Sequence, residues 1–182
     1  MNKPRVGVRS NEKIDQKKLK LARQIITQLQ QELMTQITKG AGPFMAAIYN
    51  AKGKLIAKEV NTVVRHACSH NHAEMNVIAA AERKLKTYDL SSHNLKLYIT
   101  AEPCIMCLGG ILWSGIKEIY YGVPSDKVEK ILGFDEGFKP HWFDEFKKRG
   151  ITVYGNIAVP AGVKVLKEYI KDGDPIYKPK TH

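Results

Sequence analysis

No apolar stretch in this sequence approaches the ~18 residues that a membrane-crossing helix needs, and its longest helical pattern is laced with Gln and Lys. The opening MNKPRVGVRSNEK is positively charged but leads into no apolar segment, so a secretory signal is not expected. Only three cysteines occur, an odd number that cannot complete a disulfide framework, and a reducing, cytoplasmic setting is the expectation. Internal repeats, low-complexity runs and interdomain linkers are also missing. Acidic residues are scarce, 18 Asp and Glu against 29 Lys and Arg, for a net charge of +11. That excess sits mostly at the ends: +6 in residues 1–23 and +2 in 164–182, against +3 for everything between. A basic terminus serves solubility, or attracts polyanions weakly and with strong salt dependence.

What remains is an ordinary globular composition, 43% hydrophobic and 26% charged over 182 residues, which suits one domain with a real core. From Ile14 to Lys39 the residues Ile14, Leu21, Ile25, Leu29, Leu33 and Ile37 recur at helical spacing, predicting a long amphipathic helix that Gly40-Ala41-Gly42-Pro43 stops. Phe44–Tyr49 and Leu55–Val64 read as a hairpin around Asn50–Gly53, and Arg65–Asn71 as irregular. Helices are expected over His72–Leu85, Cys104–Ser114, Ser125–Leu132, Trp142–Arg149 and Pro160–Ile170. Strands are expected over Asn94–Thr100, Ile116–Gly122 and Ile151–Tyr154. A leading hairpin followed by alternating helices and strands argues an α/β sandwich on a mixed, five-stranded sheet. Within one domain, residues 1–40 form a basic segment and long helix, 41–155 the catalytic core, and 156–182 a final helix and tail.

Two short motifs carry chemistry, each opening a helix: His72-Ala73-Glu74 and Pro103-Cys104-Ile105-Met106-Cys107. Alone, the first is commonplace, and the second reads as a redox pair or as half of a structural zinc site. Together they offer one imidazole and two thiolates, three of the four ligands that tetrahedral zinc takes, with the fourth position left open as in catalytic sites. The spacing of three places both sulfurs on one helical face, and helix N-termini favour the thiolates. Glu74, two residues from His72, can serve the protons of a water at the open position without being a ligand. His66, Cys68 and His70 sit beside the motif, either as loop residues and an idle thiol or as a further ligand source.

The ordered set H-x-E…P-C-x-x-C is the signature of zinc nucleobase deaminases. From about Gly42 to about Phe138 the chain resembles the cytidine deaminase-like superfamily, including Pro43-Phe44, Asn61 and Thr100-Ala101-Glu102-Pro103-Cys104. That resemblance implies a three-layer helix–sheet–helix sandwich, one Zn2+ per chain on His72, Cys104 and Cys107, and Glu74 as the catalytic acid–base. Trp113 and Gly133-Phe134-Asp135-Glu136 make the chain most similar to the guanine and guanosine deaminase branch. By position this implies Asn61 bonding the base, Phe44 and Trp113 stacking on it, Ala73 at the substrate, and Asp135 at the pocket edge. A small nucleobase or nucleoside is the expected substrate, guanine first, and a homodimer with possible C-terminal exchange the expected assembly. The chain departs from the family in lacking an Asp-Pro-Thr run before His72 and in having Ile105 after the first cysteine. Its tail also continues past Tyr177, a candidate for the aromatic residue that ends the guanine enzymes.

Three other readings stand beside this one. A tRNA adenosine deaminase would use the same metal site and gain from the basic termini, although Asp135 and Glu136 are poor neighbours for a phosphate backbone. A cytosine- or cytidine-type deaminase would share the chemistry. A zinc-stabilised interaction protein would have no use for Glu74.

Overall fold

The first long helix, α1 (Gln16–Ile37), starts where Asp15 turns its carboxylate onto the free amides of Lys17 and Lys18 at 2.9 and 3.1 Å. The computed structural model describes residues 7–13, 15–133 and 135–178; Ile14, Phe134 and both chain ends, which belong to segments read above, lie outside the described residues. The buried stripe of α1 runs through Leu19, Ala22, Ile25, Ile26, Leu29, Leu33 and Ile37. Leu21, expected on that stripe, is 44% exposed, because the phase set by Leu19 and Ala22 turns it to solvent.

The sheet contains β1 (Arg9–Ser10), β2 (Met45–Tyr49), β3 (Leu55–Val60), β4 (Lys96–Ala101), β5 (Glu118–Val123) and β6 (Thr152–Gly155), in the order β1-β6-β5-β4-β2-β3. It has six strands where five were expected; the addition, β1, is only two residues long and pairs antiparallel with β6. Strands β4, β5 and β6 run parallel, while β2 is antiparallel to both β3 and β4. Cross-strand tyrosines stack along the parallel part: Tyr98 on Tyr120 with centroids 4.7 Å apart, and Tyr120 on Tyr154 at 5.1 Å.

Helix α2 (Val63–His66) is a single turn that takes the last two residues of the expected strand Leu55–Val64 and the first two of the stretch expected to be irregular. It leads to α3 (Ala73–Leu85), and β4 leads to α4 (Ile105–Ser114). These two pack on each other, with α3 also lying on β2 and β3. Further on come α5 (Ser125–Leu132), α6 (Trp142–Lys148) and α7 (Val159–Lys171); α7 packs on α1 and α5 of its own chain. The sheet thus has α1 and α7 as one helical layer and α3 and α4 as the other. Among the described residues no helix is long and apolar enough to cross a membrane.

Candidate metal centre and active site

His72 and Cys104 are the N-cap residues of α3 and α4, and in neither case does the side chain cap its own helix. Both side chains instead turn toward each other. Cys104 Sγ lies 3.5 Å and Cys107 Sγ 3.6 Å from His72 Nδ1, and the three ligand atoms all fall within 4.8 Å of one another. A tetrahedral ion with Zn–S near 2.3 Å and Zn–N near 2.05 Å requires S···N edges of about 3.6 Å. The two edges match that value, so the donor set fits zinc, with Nδ1 as the imidazole ligand. The remote nitrogen, Nε2, lies 3.3 Å from the Tyr177 hydroxyl.

The two thiols do not behave alike. A hydrogen bond from Cys107, aided by His72, holds Cys104 down at about 4, whereas the same bond and burial push Cys107 well above a free thiol. His72 is raised: burial opposes its charged form, but the hydrogen bond to Cys104 and that thiolate's charge outweigh it. Glu74 stands in the first turn of α3, only 6% exposed. Burial, with the Cys104 charge adding to it, pushes Glu74 up to about 7, where a carboxyl both takes and returns protons near neutrality.

Phe44, His72, Glu74, Cys104, Glu136 and Tyr177 are among the residues around a narrow recess of about 20 Å³. Outside it opens a cleft of about 430 Å³ bounded by Ser69, Ile105, Asp135, Gly137 and Lys178 among others. Asn61 is fully buried; its Oδ1 accepts from the Val63 amide at 3.1 Å and its Nδ2 donates to Tyr177 Oη at 2.6 Å. Of the residues singled out by sequence, the structure therefore assembles His72, Cys104, Cys107, Glu74, Phe44 and Asn61. Ala73 begins α3 completely buried and borders neither cavity. His66 and His70 face a separate surface hollow, and Cys68 contacts His70 at 3.4 Å, away from the three ligands.

One expected contact is corrected. Trp113 is 87% exposed and reaches neither cavity. The inner face of α4 is taken by Cys107, Leu108, Ile111 and Ser114, and at 100° per residue this turns Leu112 and Trp113 outward. Asp135 borders the outer cleft, the pocket edge, and its Oδ1 accepts from the Gly137 amide at 2.7 Å. Its neighbour Glu136 is the acid that points inward, 7% exposed, with burial pushing it up to about 7 against the opposing charge of Lys139. The loop is stitched at the same point, for the Glu136 carbonyl accepts from Ile105 N at 3.1 Å and its amide donates to Glu129 at 3.1 Å. Gly137 then turns at φ +86, where any Cβ would stand 2.5 Å from the Ile105 side chain. Glu136 was not a sequence candidate because a loop has no periodicity to say which of two adjacent acids faces in. The only local hint was Lys139 three residues on.

Residues 19–123 match the family profile of the cytidine and deoxycytidylate deaminase zinc-binding region. A guanine deaminase from Bacillus subtilis is 38% identical over 98 residues, 53% of this chain and 60% of that protein. A tRNA-specific adenosine deaminase from Buchnera aphidicola is 29% identical over 128 residues, 70% of this chain and 80% of its own. Among solved structures, a guanine deaminase from Nitrosomonas europaea is 38% identical, covers 79% of this chain and 81% of its own, and superposes with a TM-score of 0.75. A further solved structure, in complex with 2,6-diaminopurine, is 36% identical, covers 86% of this chain and 85% of its own, and has a TM-score of 0.80. The paired helix starts and these likenesses agree: the chain belongs to the cytidine and deoxycytidylate deaminase zinc-binding family, within the cytidine deaminase-like superfamily, and is a deaminase acting on nucleobases or nucleosides.

Proposed function

We propose that this enzyme binds one Zn2+ per chain through His72 Nδ1, Cys104 and Cys107, and hydrolyses the exocyclic amine of a free purine, converting guanine and water to xanthine and ammonia. Bound there, zinc supplies the Lewis acidity that makes water a nucleophile near neutral pH. Glu74 takes a proton as the water oxygen attacks the amine-bearing carbon, then returns it to the departing nitrogen, so that the C–N bond breaks with neutral ammonia leaving. Asn61 donates to the ring through Nδ2, Phe44 covers an aromatic face, and the Glu136 carboxylate accepts from a ring N–H.

The observation that carries this reading is the second buried carboxyl, Glu136, which borders the same recess as Glu74. A purine bearing an N–H beside its amine satisfies such an acceptor; cytosine, whose ring nitrogen beside the amine is bare, does not. The solved relatives bound to 2,6-diaminopurine and to 8-azaguanine point to the same ligand class. We infer that the Tyr177 phenol stands in the way of the base: it lies edge-on to His72 with ring centroids 5.7 Å apart and accepts a hydrogen bond from Asn61. The recess is smaller than a purine, so substrate entry displaces Tyr177 toward the outer cleft.

The test is the zinc-loaded protein offered guanine, guanosine, adenine and cytosine, with ammonia release and product absorbance followed. Xanthine from guanine supports the proposal, and turnover of cytosine or adenine alone overturns it. A second reading, inosine formation in tRNA, draws on the net charge of +11 and on the adenosine deaminase relatives. It would show as tRNA binding that weakens steeply with salt. We also propose a homodimer: Ile105, Leu112 and Trp113 leave an exposed apolar stripe along α4 with no charged residue in it. Sedimentation of the purified chain tests it.

A further inference from the structure

Lys139 is a buried cation paired with Glu136 but bordering neither the recess nor the outer cleft, its side chain 9% exposed and that of Glu136 5%. Its Nζ lies 3.2 Å from Glu136 Oε2 and donates to the Pro103 carbonyl at 3.1 Å and to Ser125 Oγ. An ammonium has three donors, and here each has an acceptor, so its position is over-determined. Two of those acceptors belong to the frame. Pro103 immediately precedes Cys104, and Ser125 opens α5 while its amide donates to Glu102 at 3.2 Å. The third, Glu136, is the one that borders the recess. Glu136 sits on a loop rather than on a helix or strand, and a carboxylate this buried is costly unless paired. Its aim therefore depends on what holds it.

We propose that Lys139 is a positioning residue for base recognition: anchored to Pro103 and Ser125, it fixes the Glu136 carboxylate so that a ring N–H of the substrate meets an acceptor already in place. This rests on the reading of Glu136 as the acceptor for the base. A lysine that merely staples the loop to α5 would affect folding in the same way whatever stands at 136. The two roles separate in a double-mutant cycle of Lys139→Met and Glu136→Gln in the zinc-loaded full chain. The quantities read are KM and kcat for guanine, the calorimetric dissociation constant of 8-azaguanine, zinc content and melting temperature.

With Glu136 present, Lys139→Met raises KM and weakens 8-azaguanine binding about tenfold or more, the loss of one charge-assisted hydrogen bond, with kcat changing less. In the Glu136→Gln background the same substitution changes either by less than twofold, at unchanged zinc content. Lys139→Gln, which keeps a donor without the charge, gives the same pattern should Lys139→Met fail to fold. Equal losses in both backgrounds, or no loss with Glu136 present, overturn the proposal. Glu136→Gln leaving affinity untouched instead overturns the reading of Glu136 itself.

Discussion

Replacing Gly42 by Ala is a one-carbon change that the structure converts into a displacement of Asn61. A Cβ at residue 42 would stand 2.7 Å from Asn61 Oδ1, 3.0 Å from its Cγ and 3.2 Å from its Cβ. Ordinary van der Waals contact begins near 3.4 Å, so Asn61 must yield by about 0.7 Å in an interior that packs at crystal density. Its backbone cannot supply that shift, because the Asn61 amide is bonded to the Phe44 carbonyl at 3.0 Å and its carbonyl to the Gly42 amide at 2.9 Å. The side chain moves instead, stretching the bond from Val63 N and shifting Nδ2 from its place beside Tyr177 Oη. Overpacking of this kind costs about 1–3 kcal/mol, which for a chain of this size lowers the melting temperature by about 3–10 °C. Misplacement of a substrate-positioning group by about 1 Å costs on the order of a hundredfold in rate, so kcat/KM for guanine should fall about tenfold or more. Thermal unfolding and steady-state kinetics on G42A provide both numbers. A variant that melts lower yet keeps wild-type kcat and KM would refute the role of Asn61 in holding the base; an unchanged melting temperature would refute the contact.

Glu74→Gln should lower turnover about 10²–10⁴-fold with zinc content and melting temperature near wild type, since only the proton carrier is removed; loss of zinc would instead make Glu74 a ligand. Cys107→Ala should lose both metal and stability, because ligand binding free energy is partly folding free energy, and normal zinc content in that variant would contradict the ligand assignment. Tyr177→Phe removes the hydroxyl that competes with the base for Asn61, so KM for guanine should fall about fivefold, the equivalent of one ordinary hydrogen bond; a rise in KM would show that the hydroxyl aids binding. Burial pushes the Glu118 carboxyl up, but the Tyr120 hydroxyl and the Lys18 ammonium outweigh it and hold the group below the usual range. Stability from such a depressed carboxyl is complete above the ordinary carboxylate pKa and is lost as pH falls through the depressed value. Glu118→Gln should therefore cost about 1 kcal/mol in urea unfolding at pH 7, a gap that closes as the pH drops through the carboxylate range; a gap independent of pH would assign the effect to packing.

The parts of this molecule that could be read from the chain are those where periodicity or a fixed spacing does the pointing. The i, i+3 interval of Cys104 and Cys107 and the adjacency of His72 and Glu74 survive into three dimensions because each pair rides on a single helix turn. Hairpin, helix order and the parallel strands followed from hydrophobic alternation in the same way. Elsewhere the signal was absent or ambiguous. A strand as short as Arg9–Ser10 has no alternation to detect and exists only because β6 offers an edge. Trp113 looked like a substrate contact by family position, but the phase of α4, set by four inward residues, sends it to solvent. Asp135 and Glu136 are chemically interchangeable on paper; the Gly137 amide captures one and Lys139 the other. Tyr177, a candidate by family resemblance alone, reaches the site from 105 residues beyond His72, a separation over which no local pattern operates.

Because His72 and Cys104 occupy cap positions without capping, the leading turns of α3 and α4 have no side chain of their own to close them. An ion held by both residues, as proposed, would be a shared terminal clasp, so that chelation should loosen two helices together rather than one residue at a time. Amide exchange in the first turns of both would then accelerate in step on demetallation, and the protein would report its metal status through backbone motion well before it lost its shape.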